Sequence, residues 1–110
     1  MIENTIGEIE ARIHQAGAVS ADQKRELLEL LARLKGEVNA LAQTNAEQAD
    51  SITGFARVSA HEATRSDQNP QLLDLSVRGL RSSVAGFEQS HPQLVRIVNS
   101  ISNTLANLGI

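Results

Sequence analysis

Apolar residues recur along this chain in alternating steps of four and three. Ile2, Ile6, Ile9 and Ile13 open the pattern, the rhythm of a helix packed on another helix. "QAGAVS" interrupts it, and Gly17 is placed to end a helix as a left-handed residue. In "SADQ", Ser20 and Gln23 have the spacing of a capping box, with Asp22 adding negative charge to the first turn. One register then runs through Leu27, Leu31, Leu34, Val38, Leu41, Asn45, Gln48, Ile52, Phe55, Ser59 and Glu62. No proline falls between residues 20 and 69, and only Gly36 and Gly54 weaken the helix there. The pattern predicts a helix over about 21–64, roughly 66 Å long at about 1.5 Å per residue. The alternative is a seam that ends near Leu41, with residues 43–50 forming an exposed loop.

Alanines at 42, 49, 56 and 63 lie beside this seam and widen the apolar face toward a bundle of three or more helices. Beyond the turn-forming "RSDQNP", Asn69 and Pro70 read as a cap followed by proline at the first helical position. A third segment, about 70–88, carries Leu73, Val77, Leu80, Val84 and Phe87, with a ridge of small residues at Gly79, Ser82, Ser83 and Gly86. A fourth, about 92–108, carries Leu94, Val98, Ile101, Leu105 and Leu108, closed by Gly109 with Ile110 folding back. With the first helix at about 2–15, the expected fold is one all-α domain over 1–110. It is a helical bundle or coiled coil with one long central helix and short flanking helices.

The long helix has a consequence for assembly. Helices one, three and four would have to lie nearly end to end to cover it, leaving much of each seam in water. A homo-oligomer, most simply a dimer with paired long helices, buries the seams better. Its expected interface is Leu31, Leu34, Val38, Leu41, Asn45, Gln48, Ile52 and Phe55, with polar Asn45 and Gln48 setting register.

Composition narrows the chemistry. Phe55 and Phe87 are the only aromatic residues, and there is no cysteine. Disulfides, thiolate metal sites and cysteine nucleophiles are therefore excluded. The net charge is −3, and the acidic excess lies before residue 69. With no basic stripe and no aromatic ladder, nucleic-acid binding is disfavoured. No apolar run is long enough to span a membrane, and the N-terminus has no secretory pattern. A cytoplasmic location is the expectation.

Candidate catalytic and metal motifs fail on spacing. "HEATR" has Arg65 where a zinc helix needs its second histidine, so Glu62 and Arg65 read as an ion pair instead. Glu88 and His91 match an E-x-x-H spacing, but Pro92 forces residue 91 out of helical geometry. His14 reads as a helix-end cation, and the serines form no triad order. No catalytic residue, metal ligand or cofactor is assigned. Phe87, Ser90, His91 and Pro92 read as a helix junction, with His91 or Ser90 capping the helix that Pro92 opens.

The segment "FEQSHPQLVRIVNSISNTLANLGI", residues 87–110, resembles the closing signature of a bacterial family, domain of unknown function 4404. Phe87, Glu88, Ser90, His91, Pro92, Leu94, Leu105, Gly109 and Ile110 carry the resemblance. It implies an all-helical bacterial protein with no assigned activity. The functional expectation is a non-catalytic structural or interaction protein that self-associates through its heptad seams, with a surface open to another protein. The alternative is a small-ligand or signal-binding bundle with a site between helices near Phe87 and His91.

Overall fold

The computed structural model describes residues 2–17 and 19–108, all of whose regular structure is helical. The helices are α1 (Ile2–Gln15), α2 (Ala21–Ala42), α3 (Ala46–Thr64), α4 (Pro70–Ser82) and α5 (Pro92–Asn107). The roles expected of Gly109 and Ile110, and of the Ile2 side chain, lie outside the described residues.

Two helix starts follow their local signals closely. The Ser20 hydroxyl accepts the Gln23 N–H at 3.1 Å, while the Gln23 side chain accepts the Ser20 N–H at 3.2 Å. At α4, the Asn69 side-chain Oδ1 accepts the Gln71 and Leu72 N–H groups at 3.0 and 3.2 Å, with Pro70 first in the helix. Each bond satisfies a donor that the first helical turn leaves without an internal partner.

The long central helix does not form. It breaks at residues 43–45, where Asn45 takes a non-helical conformation (φ −150°, ψ 77°). Its side chain accepts the Gln48 N–H at 3.1 Å, so the residue expected to set register is the N-cap of α3. End to end, α2 and α3 would reach roughly 60 Å at about 1.5 Å per residue. The molecule measures only 38 Å along its longest axis, so the two fold back on one another. Asn competes with helix by bonding neighbouring backbone, which is why a polar residue on the seam can open a turn.

Past the break Ile52, Ser59 and Glu62 keep the expected register, but the buried face widens toward the alanines. Leu27, Leu31, Leu34, Val38 and Leu41 are buried on α2 as their spacing requires. On α3 the buried face runs through Ala49, Ile52, Ala56, Ser59, Ala60 and Ala63, so three of the flanking alanines turn inward. Phe55 rolls outward and is 42% exposed.

Two other ends differ from expectation. Gly17 has no left-handed φ; among the described residues that conformation belongs to Gly86 alone, at φ 95°. It is the last residue of the run of turns over 83–86 that follows α4, and α4 stops at Ser82 rather than reaching residue 88.

Packing closes the bundle within one chain. Helix α1 lies against α2 and α3, α3 also against α4, and α5 against α2, α4 and α3. Ile6, Ile9 and Ile13 of α1, Leu73, Val77 and Leu80 of α4, and Leu94, Val98, Ile101 and Leu105 of α5 share the core with the α2 leucines. The seam residues Leu31, Leu34, Val38, Leu41 and Ile52, expected between copies, are at most 1% exposed inside this single chain. The roughly 66 Å rod, whose uncovered seam was the reason to expect a second copy, does not form.

Candidate functional site

At the helix junction, His91 is the N-cap residue of α5 but makes no side-chain capping bond. Its Nδ1 lies 3.0 Å from the Ser90 hydroxyl, and its ring meets Phe87 edge-on with centroids 5.6 Å apart. The His91 N–H donates to the Phe87 carbonyl at 2.8 Å. Pro92 occupies the first helical position, where its missing N–H costs nothing. Glu88 turns to the Gly86 N–H at 2.8 Å, so it and His91 serve separate local bonds. The corner is held by backbone and ring contacts rather than by side-chain caps.

Gln48 is engaged within the chain. Its side-chain amide donates to the carbonyl of Ser83, tying the first turn of α3 to the end of α4. Glu62 and Arg65 do pair, at 3.0 Å, with the Glu62 carboxylate mostly buried rather than on the surface. Among the described residues, no three His, Asp or Glu side chains gather to hold a metal, and no helix is long and apolar enough to cross a membrane.

The most distinctive surface lies between α3 and α4. Four large apolar side chains stay exposed there: Phe55 and Val58 from α3, each 42%, and Leu72 and Leu75 from α4, at 41% and 62%. With Ser76, Gly79 and Ser82 they line an open groove of about 680 Å³, edged by Glu62 and Arg78. Phe55 rests on Gly79 so closely that a Cβ built there would lie 2.4 Å from the ring. A glycine at this point lets the ring lie low against α4.

Half of the small-residue ridge expected beside the third seam, Gly79 and Ser82, thus belongs to this groove. Val58, Leu72 and Leu75 did not stand out in the sequence. A signal existed in "PQLLDLSV": the seam takes Leu73 and Val77, so Leu72 and Leu75 were apolar residues without a place in the core. Val58 is likewise off the register. Isolated exposed apolar residues are ordinary, but four that share one groove mark an interaction surface.

Around the groove the charges balance. Arg78 pairs with Asp74 one turn back, 2.6 Å apart, and Arg65 pairs with Glu62. The chemistry available is apolar contact, flanked by ion pairs that could exchange partners.

No curated protein and no solved structure matches this chain. A family match covers residues 27–110, from the first buried leucine of α2 through α3, α4 and α5, and leaves α1 outside it. The chain belongs to the family described as Domain of unknown function (DUF4404).

Proposed function

We infer that this protein is a non-catalytic helical interaction module, and that its binding surface is the groove between α3 and α4. One observation carries the reading: Phe55, Val58, Leu72 and Leu75 remain exposed together on a chain whose heptad seams are already buried. Covering what is still exposed on each is worth on the order of 1 kcal/mol at about 25 cal/mol per Å². The groove is open along its length, a shape that suits a helix face better than an enclosed small molecule. Nothing at the Phe87–His91 corner favours the ligand reading, since the ring of His91 is engaged by Phe87 and Ser90.

Site-specific photo-crosslinking in the native cell tests this. A photoreactive phenylalanine derivative at Leu75 or Val58 is expected to form protein adducts. The same group at Glu29, exposed on α2, is expected to form none. No adduct at either groove position would remove the reading.

A further inference from the structure

We propose that the α3–α4 groove docks a second copy of this chain across a twofold axis, with the two α4 helices antiparallel. The proposal rests on the interaction reading above and adds the identity of the occupant.

Shape is the first argument. Along the outer face of α4, the N-terminal half stands high with Leu72 and Leu75, 41% and 62% exposed. The C-terminal half is low, because Gly79 has no side chain and Ser82 ends at its hydroxyl. These four positions follow a three-four-three spacing, so they form one stripe on the helix. An antiparallel partner sets the high half of each copy over the low half of the other. The leucines of one copy then meet Ser82 and the Phe55 ring that covers Gly79 in its mate. A parallel arrangement would place leucine on leucine and leave Ser82 and the Phe55 ring without the leucines as partners.

Charge is the second. Asp74 and Arg78 edge the face, 62% and 68% exposed at their side chains, and now pair within the helix. A twofold axis perpendicular to α4 brings this edge of one copy beside the same edge of the other. The result is a ring of two carboxylates and two guanidinium groups, neutral overall and able to exchange partners. Two copies therefore meet without like-charge cost at the face, despite the net charge of −3 on each chain.

Area sets the strength. The 13 residues of α4 make the face about 20 Å long, and two helices of about 10 Å diameter make it about 20 Å wide. That is on the order of 400 Å² per copy, below the roughly 800 Å² of a standard specific interface. The dimer is accordingly weak, with micromolar rather than nanomolar dissociation.

Sedimentation equilibrium of the full chain from 5 to 500 μM reads this directly. The mass is expected to rise from 11.8 kDa toward twice that value. Leu75→Glu should weaken association at least tenfold while leaving the far-UV circular dichroism unchanged, because Leu75 is outside the core. Asp74→Arg alone gathers four guanidinium groups and Arg78→Asp alone gathers four carboxylates, so each should also stay monomeric. Mixed in equal amounts, the two variants should recover a dimer, since each supplies the charge the other lacks.

A chain that stays at monomer mass at 500 μM overturns the second-copy inference. A dimer indifferent to Leu75→Glu overturns the face, and a mixture that fails to recover association overturns the antiparallel pairing. A monomer whose position 75 crosslinks to a different protein removes this inference alone and leaves the interaction reading standing. A monomer with no adduct removes both.

Discussion

Asn45 shows how a single residue decides between two architectures. At a seam position its polarity is compatible with a register-setting layer between helices, or with a cap that ends one helix and begins another. The bond from the Gln48 N–H to its side chain is the cap. Asn45→Ala is expected to cost about 1 kcal/mol in urea unfolding, the usual loss for an N-cap. Helix content should not rise, because α2 and α3 remain folded together through their buried faces. Ser59 and Ser102 show the reverse case, hydroxyls in the core with no hydrogen-bond partner. Relieving an unmet hydroxyl and gaining helix propensity act in the same direction, so Ser102→Ala should stabilise the fold by about 1 kcal/mol. Thermal or urea unfolding that found Ser102→Ala destabilising would show that the hydroxyl has a partner. Phe55 completes the residue scale: as a lid over Gly79 it should lose only about 1–2 kcal/mol on Phe55→Ala, below the 3–5 kcal/mol typical of a buried ring.

Among the elements, the ends that could be read ahead of the structure were those marked by a local chemical signal. Ser20 with Gln23, and Asn69 with Pro70, start their helices as their spacing requires, because a cap needs only its own first turn. Heptad spacing was equally legible on α1, α2 and α5. It failed across residues 43–45 because apolar periodicity carries no memory of a break. Leu41 lies before the break and Ile52 after it, and both are buried, as are Ser59 and Glu62, but Phe55 leaves the seam. Alanines at 49, 56 and 63 then supply the buried face of α3 while Phe55 moves to the groove. The groove itself was legible only in part, through its small residues, since the exposure of Leu72 and Leu75 depends on where α3 sits. Helix α1 offers a direct test of element packing. Its Ile6 and Ile13 are fully buried against α2 and α3. Ile13→Ala should cost about 2–5 kcal/mol, read as a lower urea midpoint with an unchanged slope.

At the scale of the molecule, one chain covers its own seams. Its radius of gyration, 12.9 Å, is close to the roughly 13 Å expected of a compact domain this long. A single chain therefore closes its core without a partner, and the weak dimer proposed above would add stability only by mass action. This separates it from an obligate dimer, whose protomers unfold on dilution. Upon dilution into the low micromolar range, the melting temperature should level off at a monomer value with helix content intact. At hundreds of micromolar it should rise by on the order of a few °C, because binding the native state raises its apparent stability. Leu75→Glu should hold the monomer value at every concentration. The core does not depend on Leu75, so the variant separates loss of association from loss of fold. A melting temperature that kept falling on dilution, with helix lost alongside it, would mean that the buried seams of one chain are not enough. Scanning calorimetry of the two proteins over a hundredfold range of concentration makes the distinction.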